Sequence, residues 1–95
     1  MTLLDELKNY LDITWQDEAT DNKLLGMISR GKRRLLDLSG NENLDFEKED
    51  IQKDLLFNRI RYERSGALDE FESAFKKEII YFQTREKVKR QHDTK

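Results

Sequence analysis

The chain has 95 residues, enough for one compact domain and too few for a second hydrophobic core. It contains no cysteine, which excludes disulfides and thiolate metal sites and favours a reducing cytoplasm. It also lacks any apolar run near the roughly 20 residues that span a bilayer, so we expect no membrane partner. Charged residues make up 40% of the chain, and only the helical spacing of its apolar residues argues against disorder.

The first predicted element is a short helix from Leu3 to about Leu11, capped by Thr2 and with acidic residues in its first turn. The segment 13–16 then breaks the helical pattern, which predicts an extended linker. Within it the indole of Trp15 is expected to pack over the core. The alternative prediction is that Trp15, the single tryptophan of the chain, anchors an interface with another protein.

The second predicted helix opens in the acidic segment 17–21 and runs to Leu38. Gly40 follows as the expected left-handed cap, because glycine adopts positive φ without strain. Gly31 lies on the apolar face of this helix, where it allows another backbone to approach closely. The apolar stripe itself is formed by Leu24, Ile28, Leu35 and Leu38.

A loop is predicted from Asn41 to Phe46, with Asp45 or Phe46 leading into a third helix. The inner face of that helix is set by Ile51, Leu55, Leu56 and Ile60. Ser65 and Gly66 then interrupt the helical pattern. The third helix therefore ends in the basic segment 59–64, which suits the negative end of a helix dipole.

The last predicted helix starts at Ala67 and, if continuous to Arg90, would be about 36 Å long. Its apolar stripe is the clearest in the chain and comprises Leu68, Phe71, Phe75, Ile79 and Phe82. Beyond Phe82 only Val88 is apolar, so this part is expected to project, fray, or become ordered on a partner. We therefore predict a helical domain over residues 1–84 and a basic, flexible C-terminal tail over 85–95.

These elements predict an all-α protein, a small bundle of about four helices with a long C-terminal helix. Amphipathic helices are stable only when their apolar faces are covered by one another. The expected core comprises Leu7, Leu11, Trp15, Leu24, Ile28, Leu35, Leu55, Ile60, Phe71, Phe75 and Ile79.

Catalytic chemistry finds little support in the sequence. His92 is the only histidine and lies in the polar tail, so neither a Ser-His-Asp triad nor a histidine metal cluster can be assembled. Carboxylates are plentiful, but most occur at helix starts, where they act as ordinary caps. We predict no catalytic residue, no metal site and no cofactor, and hence no enzyme.

Two basic bands, at residues 30–34 and 59–64, are the remaining candidates for binding. They could bind the phosphates of a nucleic acid, or they could pair with acidic surfaces of neighbouring subunits, since arginine is enriched at protein interfaces. Because acidic residues outnumber basic residues in the whole chain, the second interpretation is favoured. The candidate subunit or partner contacts are Arg30, Lys32, Arg33, Arg34, Arg59, Arg61, Arg64, Lys87, Lys89 and Arg90.

Six segments in their order and spacing resemble the small head–tail connector (adaptor) proteins of tailed bacteriophages. The resemblance covers about residues 3–83. The segments are 9–15 (NYLDITW), 17–21 (DEATD), 24–31 (LLGMISRG), 55–57 (LLF), 61–65 (RYERS) and 67–71 (ALDEF).

The resemblance implies a helical virion protein of a phage or prophage, made in the bacterial cytoplasm and located at the head–tail junction. About a dozen copies would form a ring by head-to-tail contacts. The ring would dock beneath the portal protein, extend the channel that DNA crosses transiently, and carry the next connector or tail-completion protein.

Within the resemblance, the matching positions that look structural are Trp15, Leu24, Ile28, Leu55, Tyr62 and Phe71. The two arginine bands are candidates for contacts between subunits, and the helix after Gly66 is the candidate for docking to the portal. An alternative from another class is a small DNA-binding transcriptional regulator of phage or bacterial origin, which would use the basic helix segment.

Overall fold

The computed structural model describes the backbone of residues 2–93 and the side chains of residues 2–89. Within this range all regular elements are helices and no strand occurs, which confirms the all-α class. None of these helices combines the length and apolar character that crossing a membrane requires. The helices are α1 (Leu3–Tyr10), α2 (Glu18–Ser39), α3 (Ile51–Arg64), α4 (Leu68–Ala74) and α5 (Lys76–Asp93).

Local capping explains where the first two helices begin and end. The Thr2 hydroxyl accepts from the Asp5 N–H, and the Asp5 carboxylate accepts in return from the Thr2 N–H, which completes a capping box. Asp17 caps α2 by accepting from the Thr20 N–H. Gly40 ends α2 with a left-handed φ of 67°. The predicted bounds of α1 and α2 are therefore confirmed to within about a residue.

The centre of the core is the contact between α2 and α3, and Gly31 makes it possible. Gly31 is buried, and a Cβ added there would lie 2.5 Å from the Leu56 Cδ1, closer than carbon atoms can pack. A close approach at Gly31 is thereby confirmed, but the group that approaches is the Leu56 side chain and not, as predicted, a backbone. The buried apolar residues of the two helices are Leu24, Ile28, Leu35, Leu55, Leu56, Phe57 and Ile60.

The predicted start of the third helix is wrong, because α3 begins only at Ile51. In the preceding loop the side chains of Asn41 and Asp45 accept from backbone N–H groups two residues ahead. Such local bonds compete with helix formation and hold the loop in turns. Phe46 of the same loop is buried against the core, so the loop is anchored.

The long last helix is also a wrong prediction, since it is divided at Phe75 into α4 and α5, which raises the count within residues 2–93 to five. Phe75 has φ −108° and ψ 25°, outside the usual helical values. Its ring stacks on Phe71 at 5.1 Å, and Tyr62 meets both rings edge-on. The break lets α4 pack along α3, while α5 packs against both α2 and α3.

The predicted domain end after residue 84 does not match the packing. Arg85 Nη1 lies 2.7 Å from Asp50 Oδ1, and Glu86 is 1% exposed. Both residues therefore belong to the body, and α5 continues as a helix to Asp93. The remainder of the predicted tail, residues 94 and 95, lies outside the described residues.

The predicted core is largely confirmed, with one clear error. Trp15 is 51% exposed, because the turn that ends α1 directs a different residue inwards. Asp12 adopts a φ of 59°, and the Ile13 N–H donates to the Lys8 carbonyl at 2.8 Å, which forms a Schellman motif that buries Ile13. Leu11 and Phe75 are only partly buried. The other predicted core residues are buried, namely Leu7, Leu24, Ile28, Leu35, Leu55, Ile60, Phe71 and Ile79.

Candidate protein-interaction surfaces

The basic band of α2 is engaged in ion pairs within the chain. Arg30 Nη2 lies 2.7 Å from Glu63 Oε2, and Arg34 binds both carboxylate oxygens of Glu72 at 2.6 and 2.9 Å. Arg33 pairs with Asp37 one helical turn along, at 2.9 Å. Arg30 and Arg34 thus join α2 to α3 and α4, which a reading of the sequence could not show because Glu63 and Glu72 lie far along the chain.

The band of α3 is divided between the protein interior and the surface. Arg59 is half-buried and lies 3.5 Å from Glu63, so Glu63 is shared by two guanidinium groups. Arg61 donates to Asn58 and lies over the ring of Tyr62. Arg64 is exposed beside the end of α1.

The other basic candidates have different surroundings. The Lys32 ammonium lies 5.7 Å from the centre of the buried Phe46 ring. At this distance the electron-rich face of the ring attracts the positive charge. Lys87 is exposed on α5, and Lys89 Nζ lies 3.4 Å from Glu86 Oε2. The side chain of Arg90 lies outside the described residues.

A buried charged network holds the second half of α5 against the body. Arg85 bonds Asp50 and the Gln52 side-chain oxygen, while Glu86 accepts from Asn41 Nδ2 at 3.0 Å. Sequence reasoning assigned residues 85 and 86 to a solvated tail and missed this network. Burial, which acts to raise the pKa of Glu86, is outweighed by the Asn41 hydrogen bond and the nearby Lys89 and Arg85 charges, so that pKa lies below its usual value.

Acid is expected to destabilise the protein through this network. The hydrogen bond from Arg85 and the N–H of Ile51 lower the pKa of Asp50. A carboxylate with a depressed folded pKa stabilises the fold above its unfolded pKa of about 4, and this contribution is lost as the pH falls through the folded pKa. Asp50→Asn is therefore expected to lower the free energy of unfolding by about 1–2 kcal/mol at neutral pH.

The check is urea denaturation of the wild type and Asp50→Asn at several pH values between neutral and pH 3. The difference between the two proteins should shrink towards the acidic end. Glu47→Gln, which removes an exposed carboxylate from the same loop, is the matched control and should change stability little at any pH. An undiminished difference at pH 3 would contradict the assignment of the effect to the Asp50 charge.

A second ion-pair cluster joins α1 to α3. Lys53 is 4% exposed, its ammonium lies 2.9 Å from Glu6 Oε2, and it also contacts Glu49. Hydrogen bonds to Glu49 and then to Glu6 raise the pKa of Lys53. The cluster thus stabilises the fold below the usual lysine pKa and is lost only at strongly alkaline pH. It is a structural element rather than a binding site.

Besides Tyr10 and Leu25, large apolar side chains remain exposed at two places among the described residues. Trp15 borders a surface depression with Asp5, Lys8, Asn9 and Gln16, and we call this area, together with the exposed Asp17 and Glu18 that follow in the chain, the Trp15 surface. On α5, Ile80, Tyr81 and Val88 are each about half exposed, and with Thr84 they form what we call the α5 outer face. A contiguous exposed apolar patch is typical of an interaction site.

Metal-ligating side chains are not clustered in the part of the chain that is described. No set of three or more histidine, cysteine, aspartate or glutamate side chains is placed to hold a metal ion among these residues. The side chain of His92 is not among them.

Comparisons of the chain with known protein families, curated proteins and solved structures find no match. The family expected from the sequence resemblance therefore stays a prediction. The functional proposal below depends on that resemblance together with the surfaces described here.

Proposed function

We propose that the protein is a non-catalytic ring subunit of a phage or prophage head–tail connector, which joins the portal to the tail and extends the DNA channel. The observation that carries the proposal is the half-exposed apolar side chains of the α5 outer face. A body of this size has few apolar residues, and leaving Ile80, Tyr81 and Val88 in water favours a protein partner that covers them.

The charge distribution supports protein assembly over DNA reading. A DNA-binding helix presents arginines that are free to bond phosphates and base edges. In the α2 band, Arg30 and Arg34 instead bond Glu63 and Glu72, and each phosphate contact would have to displace a carboxylate. A DNA-binding regulator therefore remains the second candidate, supported only by the number of basic residues.

In the proposed assembly each subunit contacts two sister copies, the portal protein and the next connector or tail-completion protein. DNA would meet the ring only in transit. The protein would reside in the virion at the head–tail junction after synthesis in the bacterial cytoplasm. Such a role needs no cofactor, and the stability of the small helical body would be increased by assembly.

Electron microscopy of the purified protein, alone and mixed with the portal protein encoded near its gene, tests the proposal. Rings of uniform diameter, or a ring added to one end of the portal, are the expected result. Fluorescence anisotropy with duplex DNA provides the second arm. We expect weak binding without sequence preference.

Two outcomes would decide against a connector. One is a chain that forms no ring at any concentration and leaves the portal particles unchanged. The other is a dimer that binds one duplex sequence tightly and loses about a thousandfold or more in affinity between about 50 and 200 mM salt, which is the behaviour of a regulator.

A further inference from the structure

The α5 helix is apolar on two opposite sides. Ile79, Phe82 and Glu86 face the body and are buried, whereas Ile80 and Tyr81 are 51% and 59% exposed. At 3.6 residues per turn, Ile80, Tyr81, Thr84 and Val88 fall within an arc of about 100° on the side away from the core. The core therefore accounts for one side of the helix only, and the outer side has no cover within the described chain.

The α5 outer face is bordered by positive charge. Between Lys76 and Lys89 the helix carries five basic and two acidic residues. One of the two acids, Glu86, is buried and bonded to Asn41, which leaves Glu78 as the exposed acid of this segment. The exposed bases are Lys76, Lys77, Lys87 and Lys89. A partner for this face should offer apolar surface surrounded by carboxylates.

The Trp15 surface offers this combination of an exposed apolar side chain and surrounding carboxylates. Residues 2–22 contain six carboxylates and one lysine, Lys8, which is paired with Asp21 at 2.9 Å. Glu6 is paired with Lys53, and Asp12 lines a separate depression with Arg61 and Arg64. The carboxylates of the Trp15 surface are therefore Asp5, Asp17 and Glu18. Asp5 and Asp17 are exposed carboxylates that are ionised at neutral pH, and hydrogen bonds from Thr2 and Thr20 lower the pKa of each carboxyl further. The half-exposed indole of Trp15 thus lies in an acidic surrounding, and tryptophan is the residue most often found at the centre of interfaces.

The two surfaces lie at opposite ends of the molecule. The Lys8–Asp21 pair places the Trp15 surface near the start of α2. Gln83 donates to the Leu38 carbonyl and Asn41 donates to Glu86, which places the α5 outer face near the end of α2. With 22 residues, α2 separates them by roughly 30 Å at about 1.5 Å per residue. One subunit cannot cover its own α5 outer face with its own Trp15 surface.

We propose that the Trp15 surface of one copy docks on the α5 outer face of the next copy. The occupant is a second copy of this chain, because the chain itself carries both complementary apolar surfaces with opposite charge. Different patches meet in this contact, so it is heterologous, and repeated contacts close into a ring when the rotation between copies permits. The inference rests on the proposed connector function and assigns the surfaces that join its subunits.

Single substitutions on either surface test the contact. Trp15→Ala and Ile80→Asp are each expected to weaken self-association of the full chain at least about 30-fold, as measured by sedimentation velocity over a concentration series. Trp15→Phe and Ile80→Leu are the matched controls and should retain most of the association. Both positions are half exposed, so circular dichroism should show unchanged helix content in all four variants.

Mixing the two defective variants tests the head-to-tail arrangement. Trp15→Ala retains an intact α5 outer face, and Ile80→Asp retains an intact Trp15 surface. Each alone should be monomeric, whereas an equimolar mixture should form a one-to-one dimer that grows no further. Double Lys77→Glu/Lys87→Glu should also abolish self-association, and Lys77→Arg/Lys87→Arg should not.

The outcomes separate this inference from the proposed function. Rings of normal size and affinity from Trp15→Ala and Ile80→Asp would overturn the inference and leave the connector function in place, with a different interface. A wild type that stays monomeric at hundreds of micromolar would also overturn it. The predicted one-to-one dimer, combined with a wild type that forms only open filaments, would support the contact and refute the connector.

Discussion

Phe82→Ala is expected to lower the free energy of unfolding by about 3–5 kcal/mol, the largest effect of any substitution considered for this chain. The Phe82 side chain is 0% exposed on the inner side of α5. Truncation removes its apolar contacts and leaves a cavity that the surrounding helices fill only in part. Since a domain of this size is stable by only about 5–10 kcal/mol, the variant should unfold at much lower urea concentration, as followed by far-ultraviolet circular dichroism.

Ile80→Ala is the matched control for this measurement. Ile80 lies two residues earlier on the same helix and is half exposed. At a protein concentration too low for self-association, its truncation should therefore change the free energy of unfolding by no more than about 0.5 kcal/mol. The contrast between the two variants reports which side of α5 is packed. Equal losses for both would show that the helix is not docked through Ile79 and Phe82.

Gly31→Ala is expected to lower the free energy of unfolding by about 1–3 kcal/mol, although alanine is intrinsically the better helix former. The added methyl group would lie 2.5 Å from the Leu56 Cδ1, and Leu56 is 0% exposed and surrounded by core residues. The clash can be relieved by forcing Leu56 into another rotamer within the packed core or by moving α3 away from α2, and either change costs free energy. The measurement is the midpoint and slope of urea denaturation.

Gly26→Ala is the control, since it makes the same change in the same helix. A Cβ at Gly26 would meet the Arg30 side chain at 3.2 Å, and that side chain is long and exposed and can move aside. The free energy of unfolding should therefore stay the same or rise by up to about 1 kcal/mol.

A double variant tests the cause of the Gly31 effect. In Gly31→Ala/Leu56→Ala the new methyl group enters space that the Leu56 side chain has left, so the two losses should be less than additive by at least about 1 kcal/mol. Additive losses would mean that the methyl group at position 31 meets something other than Leu56.

Much of the fold could be predicted because its signals are local. The caps at Thr2 and Asp17, the left-handed Gly40, and the apolar spacing along α2 depend on residues a few positions apart. The close approach at Gly31 also follows from its position on the apolar stripe. The basic candidate residues are visible in the sequence too, but their carboxylate partners on other helices are not.

Trp15, Phe75 and Glu86 show what local patterns do not determine. The exposure of Trp15 depends on a turn at Asp12 that buries Ile13 in its place. The break at Phe75 occurs without glycine or proline, where the ring packs with Phe71 and Tyr62. No sequence pattern indicates either arrangement in advance.

The sequence by itself determined that this chain forms helices, where most of them begin, and which apolar faces form the core. The tertiary structure alone decided which charges are buried and which apolar residues stay exposed. Glu86, for example, is buried because Asn41, 45 positions away, donates to it. Hydrogen bonds and periodicity within a helix are short-range and can be recognised in a sequence, whereas burial depends on partners that only the folded chain brings together.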